Sequence, residues 1–171
     1  RFEVREVKRS GEYFDDFFTI ALDVNGDGRM DFLSGGWYGG TIYWYENTGK
    51  YDKLWPEHTV AVIGNLETAR AYDVDGDGIV EIVPNNLGKP FRFYQLDLDK
   101  NGKGKGSFTE HQLYPTQGHG LGFGDINNDG RKDFVLADGW LEAPLQPMTQ
   151  PWKWHPDFQL EQASISIIVI D

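Results

Sequence analysis

The chain has 171 residues, 27 of them Asp or Glu and 16 Lys or Arg, for a formal charge of −11. That balance repels phosphate backbones and anionic lipid, and no apolar run approaches the ~20 residues of a membrane span, so neither nucleic acid nor membrane insertion is expected. With no cysteine, disulfide frameworks, thiolate metal sites and Cys nucleophiles are excluded together, while 39% apolar and 15% aromatic residues suffice for a packed core.

The first predicted strand, Thr19–Leu22, runs into an acidic turn carrying Asp23, Asn25, Asp27 and Asp31, and Phe32 and Leu33 start a second strand. Ile42–Tyr45 and His58–Val62 are the next two β-prone runs. The same order then returns: Ala69–Tyr72, a turn with Asp73, Asp75, Asp77 and Glu81, then Ile82 and Val83, Phe91–Tyr94 and Phe108–Leu113. A third pass has Leu121–Gly124, a turn with Asp125, Asn127, Asp129 and Asp133, and Phe134–Leu136. The three turns start 50 and 52 residues apart. Four short strands per period, with no amphipathic helical stretch between them, is the pattern of a propeller blade rather than of a βαβ unit or a helical solenoid.

In the third period Pro144, Pro147, Pro151 and Pro156 interrupt strand patterning, which predicts a long crossing loop between Trp140 and Phe158. Ile165–Ile170 has the character of the first strand of the other periods, and Asp171 falls where a fourth acidic turn would begin. The expectation is an all-β chain of about three four-stranded antiparallel blades, with repeats near 14–62, 63–114 and 115–163 and the start of a fourth at 164–171. Three blades cannot close a ring, since propellers use roughly 4 to 8, so the remaining blades of a larger parent are expected partners.

Each acidic turn places oxygen side chains at relative positions 1, 3, 5 and 9. Oxygen donors on a tight loop suit a hard cation, and the main-chain carbonyls of Arg29, Ile79 and Arg131 at position 7 would complete six or seven ligands around Ca²⁺. Glycine at position 6 (Gly28, Gly78, Gly130) permits the positive φ that bends the turn back on the ion. An EF-hand is excluded, because its position-12 Glu is replaced by Ser34, Pro84 and Leu136 and strands flank the turn. The ten carboxylates of the three turns account for all but one unit of the net charge. Polar turns also use Asp, Asn and Gly, but they need no fixed acid spacing. The reading is up to three Ca²⁺ sites, held as structural staples by Asp23, Asn25, Asp27, Arg29 and Asp31, by Asp73, Asp75, Asp77, Ile79 and Glu81, and by Asp125, Asn127, Asp129, Arg131 and Asp133.

At these residues the chain resembles the FG-GAP/VCBS repeat family, the calcium-loop β-propellers of integrin α-subunits, some fungal lectins and many exported bacterial proteins. The resemblance implies a propeller of six to eight four-stranded blades with Ca²⁺ in the turn between the first two strands, and a secreted, periplasmic or cell-surface location. Gly118–Gly122, Gly139–Pro144 and Trp154–Phe158 also look like segments of propellers joined to sugar-processing domains, as in aldos-2-ulose dehydratase-like proteins.

Blade inner strands line a propeller's channel. Glu67 and His119 both lie six residues before their turn's first Asp, and Arg70 lies three before Asp73. Glu67, Arg70 and His119, with His155, are therefore candidates for an acid–base and carboxylate-binding group; solvated or capped strand ends are the plainer explanation. Trp37 and Trp140 follow Gly-rich strand ends and are expected to be exposed, where they could stack on a ligand, whereas Tyr43–Tyr45 alternate as blade packing does. Lys100–Lys105 reads as a solvated hairpin tip. Three functions remain open: a calcium-binding, exported scaffold for carbohydrate or protein ligands; the propeller part of a sugar lyase or dehydratase working through Glu67, Arg70, His119 and His155; or a purely structural interaction repeat.

Overall fold

A computed structural model of the chain describes residues 4–9, 15–160 and 165–170. Twelve strands and no helix occur among these residues. They form three four-stranded sheets in which chain neighbours are sheet neighbours. The first contains β1 (Phe18–Leu22), β2 (Asp31–Gly35), β3 (Thr41–Tyr45) and β4 (Glu57–Val62). The second contains β5 (Thr68–Tyr72), β6 (Glu81–Asn85), β7 (Phe91–Leu98) and β8 (Gly104–Tyr114). The third contains β9 (Leu121–Gly124), β10 (Asp133–Leu136), β11 (Gly139–Glu142) and β12 (Lys153–His155). Each sheet is an antiparallel meander with the strand order of a propeller blade.

Burial follows position in the sheet. The second strands β6 and β10 are buried at every residue. A strand covered on both faces reads as an unbroken apolar run, and Ile82, Val83, Phe134, Val135 and Leu136 are that run. The outermost strand β8 has no fully buried residue and alternates between half-buried and exposed over most of its length, as an edge strand with one packed face should. In every sheet the acidic turn joins the first strand to the second. Its register is continuous on both sides, from Leu22↔Asp31, Tyr72↔Glu81 and Gly124↔Asp133 outward.

The chain divides into two compact units. One comprises the described residues up to Leu66 together with Leu96–Thr109, the other Glu67–Gln95 together with the described residues from Glu110 on. In the first unit Phe18, Ile20, Leu33, Ile42, Trp44 and Leu66 are buried. In the second, Phe134 is fully buried at the centre of an aromatic cluster, its ring 5.0 Å from Phe91, 4.8 Å from Phe123 and 5.0 Å from Trp152. The basic hairpin tip is the turn between β7 and β8, where Asp99 N–H donates to Lys103 O at 2.8 Å. Gly104, next to it, lies so close to the first acidic turn that a Cβ there would stand 2.3 Å from Val24 O.

The third sheet corrects one expectation. A fourth strand, Lys153–His155, forms within the proline-rich segment and pairs with β11 in the register Trp140↔His155. The prolines fall outside the paired residues, so they shorten the strand to three residues without removing it. Ile165–Ile170 runs beside β9, with Ile167 N–H donating to Leu121 O at 2.9 Å and a parallel bridge between Leu121 and Ser166. Gly122 and Gly124 make this approach possible, since a Cβ on either would fall within 2.8 Å of Ile167 or Val169. Asp171, the expected first residue of a fourth turn, lies outside the described residues.

Candidate metal centre

The three acidic turns share one hydrogen-bonding scheme. The position-1 carboxylate accepts from the position-6 N–H: Gly28 to Asp23 at 2.8 Å, Gly78 to Asp73 at 3.1 Å and Gly130 to Asp125 at 2.8 Å. Position 3 accepts from the N–H of position 5, with Asp27 to Asn25 at 3.2 Å, Asp77 to Asp75 at 3.2 Å and Asp129 to Asn127 at 3.1 Å. Position 5 in turn accepts from the position-7 N–H, which is how Arg29, Ile79 and Arg131 take part. Side chains that bond two residues ahead curl the backbone into successive Asx-turns, and this curl directs oxygens inward. Position 4 needs a left-handed backbone too: Gly26 and Gly76 supply it, and the third turn uses Asn128 at φ 59°, the one non-glycine with positive φ among the described residues.

Position 9 closes each turn from the next strand. Asp31, Glu81 and Asp133 are almost fully buried and accept from the N–H of position 2 at 2.8–2.9 Å, Val24, Val74 and Ile126 respectively. Asp31 and Asp133 use their other oxygen to accept from Asn47 and Ala143, each at 2.8 Å, just past the end of the third strand. These two carboxylates therefore act as struts between turn and sheet. Burial pushes both upward in pKa, and the two backbone donors partly offset it.

The second turn differs in its charge balance. In the first and third turns the position-7 arginine folds back to pair with the position-5 carboxylate, Arg29 with Asp27 and Arg131 with Asp129. Ile79 offers no such charge. Asp73, Asp75 and Glu81 bring one oxygen each to within 4.8 Å of one another. Glu81 is pushed up to about 7, first by burial and then by repulsion from Asp75, Asp77 and Asp73. Burial also raises Asp75. Crowded hard oxygen donors that resist ionisation together are the donor set a divalent cation such as Ca²⁺ would relieve, so the residues fit that ion.

The remaining sequence candidates divide. Glu67 and His119 do meet: His119 Nε2 is 2.9 Å from Glu67 Oε2, at the start of β5. Asn85 holds them in place, since its side chain donates to Gln117 Oε1 at 2.7 Å and accepts from Gly120 N–H at 3.0 Å, while its carbonyl accepts from Glu67 N–H. Arg70 turns instead to Thr68 Oγ1 at 3.0 Å and Ser166 Oγ at 2.5 Å. His155 sits on the outer strand β12, where Glu142 engages its Nε2 at 2.6 Å. Trp37 is half-buried between β2 and β3. Trp140 is a correction: only 6% of it is exposed, because His155 covers its ring face at 4.1 Å and its indole N–H donates to Asp157 at 2.9 Å.

Two features escaped the sequence reading. Every sheet stacks an aromatic ring of its third strand on a histidine of its fourth: Trp44 on His58, Phe93 on His111 and Trp140 on His155, with ring centres 4.2, 4.7 and 4.1 Å apart. Two residues beyond each aromatic, Glu46, Gln95 or Glu142 meets the imidazole Nε2. The second feature is a cavity of about 500 Å³ within the second unit, against the second acidic turn, with Tyr72, Phe123 and Lys132 in its wall.

Repeated four-stranded antiparallel sheets, each with an acidic turn between its first two strands, have the form of β-propeller-like blades. Residues 23–83, from the first acidic turn through most of β6, match the family model of the FG-GAP-like repeat. No curated protein and no solved structure matches the chain significantly, and the likeness to aldos-2-ulose dehydratase-like proteins has no support among the matches. Among the described residues no helix is long and apolar enough to cross a membrane.

Proposed function

We propose that this chain is a calcium-stabilised interaction module, exported to a secreted, periplasmic or cell-surface location, that binds carbohydrate. The observation that carries the calcium reading is the approach of Asp73, Asp75 and Glu81, one oxygen each within 4.8 Å of the others, none of them in an ion pair with a described residue. The first and third turns repeat its spacing and backbone curl, and they would take the ion more weakly where Arg29 and Arg131 already neutralise one carboxylate. Export follows from the resemblance to calcium-loop propellers, and calcium sites of the extracellular class work in the ~0.1–1 mM range. Carbohydrate binding is supported by the half-buried aromatic rings of Tyr72 and Phe123 beside polar groups in the cavity wall. Calorimetric titration with calcium, paired with thermal melts in calcium and in chelator, tests the reading; a chain with no calcium heat and an unchanged melting temperature would refute it.

A second reading, proton transfer on a sugar substrate, is favoured by the 2.9 Å contact between Glu67 and the 43%-exposed side chain of His119. Incubation with acidic and neutral sugars, followed by NMR for an unsaturated product, distinguishes it. A product that persists in His119→Ala excludes this pair as the acid–base group.

A further inference from the structure

The cavity beside the second acidic turn joins two kinds of surface. Asp73 and Asp75, two of the three clustered carboxylates, form part of its wall, and Lys132 brings an ammonium group to it from the third turn. Its volume of about 500 Å³ lies inside the roughly 300–1,000 Å³ range of small-ligand sites. Tyr72 and Phe123 stack on one another with ring centres 4.7 Å apart and bring apolar ring edges to the wall. Lys132 Nζ stands 5.9 Å from the Phe123 ring centre and forms no ion pair with a described residue. The neighbouring Arg131, by contrast, is spent on Asp129 and on Ala143 O at 2.7 Å.

We propose that this cavity binds a uronic acid residue of an acidic saccharide, in a calcium-dependent manner. The inference rests on the calcium reading above and adds the ligand. A pyranose ring has C–H groups that suit the apolar edges of Tyr72 and Phe123, and hydroxyl groups for the polar wall. Lys132 is placed to form a charge-assisted hydrogen bond to the sugar carboxylate. Without a cation, Asp73 and Asp75 repel that carboxylate. With Asp73, Asp75 and Glu81 engaged by a divalent ion, their three negative charges fall to one, which Lys132 offsets, so the wall no longer repels the carboxylate. A neutral sugar gains neither contribution, so the site selects by charge as well as shape.

The test is calorimetric titration of the full chain with a glucuronate-terminated disaccharide and with its carboxyl-reduced counterpart, in calcium and in chelator. Wild type is compared with Lys132→Gln and Asp75→Asn. Expected is binding of the acidic disaccharide in calcium, weakened roughly tenfold or more by chelator, by reduction of the carboxyl, and by Lys132→Gln. Lys132 is exposed, so Lys132→Gln keeps the fold and its full calcium heat, while Asp75→Asn loses the second turn's share of the calcium heat and the disaccharide together. Calcium binding without disaccharide binding, or Lys132→Gln binding as tightly as wild type, overturns this inference and leaves the calcium reading intact. Absence of calcium heat in wild type overturns both.

Discussion

Trp140 and His155 lie directly opposite one another on β11 and β12, their rings 4.1 Å apart and 10° from parallel. The same pairing of an aromatic with a histidine fastens the outer strand of the other two sheets, through Trp44 with His58 and Phe93 with His111. In the third sheet it holds a strand of three residues, too short to persist on its own ladder bonds. Trp140→Ala is expected to lower stability by roughly 3–5 kcal/mol and His155→Ala by about 1 kcal/mol. His155→Phe, which keeps the stack, should lose less than His155→Ala. Urea unfolding measures all three, and a His155→Ala midpoint equal to wild type would refute the clamp.

Glu81 gives the metal-free protein an unusual pH response. Its folded-state pKa of about 7 lies above the ordinary 4.5, so the folded state holds a proton that the unfolded state releases. Stability therefore falls as pH rises from about 4.5 to about 7, and Asp31, Asp75 and Asp133 shift in the same direction. Melting temperature against pH in chelator should decline across that window, and Glu81→Gln should flatten the decline. Calcium should flatten it as well, and its binding at pH 6 should release protons, detectable as a dependence of titration heat on buffer ionisation enthalpy.

Ion at ten times its dissociation constant adds about 1.4 kcal/mol per site, which for a chain of this size is roughly 3–6 °C in melting temperature. Asp73→Asn should remove the largest share of that gain. A melt in which Asp73→Asn and wild type respond equally to calcium would move the main site to another turn.

Asp133 bonds two backbone N–H groups, those of Ile126 and Ala143, from a fully buried position. Asp133→Ala leaves both donors without partners and is expected to cost roughly 2–5 kcal/mol, with or without calcium. Asp133→Asn keeps one acceptor oxygen and should fall between the two. Loss confined to calcium-containing buffer would show that Asp133 works through the ion and not as a strut.

The acidic turns were legible because their chemistry requires a fixed spacing, and Asp23, Asp73 and Asp125 announce themselves at a regular interval. The strands beside them were legible because β6 and β10 are buried on both faces and so read as continuous apolar runs. The aromatic–histidine pairs were hidden by their irregular separation: His58, His111 and His155 follow their partners by 14, 18 and 15 residues, because the connecting hairpins differ in length. Trp140 looked exposed for the same reason, since the residue that covers it lies across a loop containing Pro144, Pro147 and Pro151. The cavity wall combines Tyr72 with Phe123 and Lys132 from another strand and turn, a juxtaposition that depends on tertiary packing and leaves no mark in local pattern.

The buried Asp31 carboxylate accepts from Val24 on one side and Asn47 on the other, amides 23 positions apart along the chain. Neither proton can reach solvent deuterium until that single side chain lets go, so the two exchange rates should rise and fall in concert. Ile126 and Ala143 form the matching couple around Asp133. Each couple is a built-in gauge of whether its turn has sprung open, readable one residue at a time and without any added ligand.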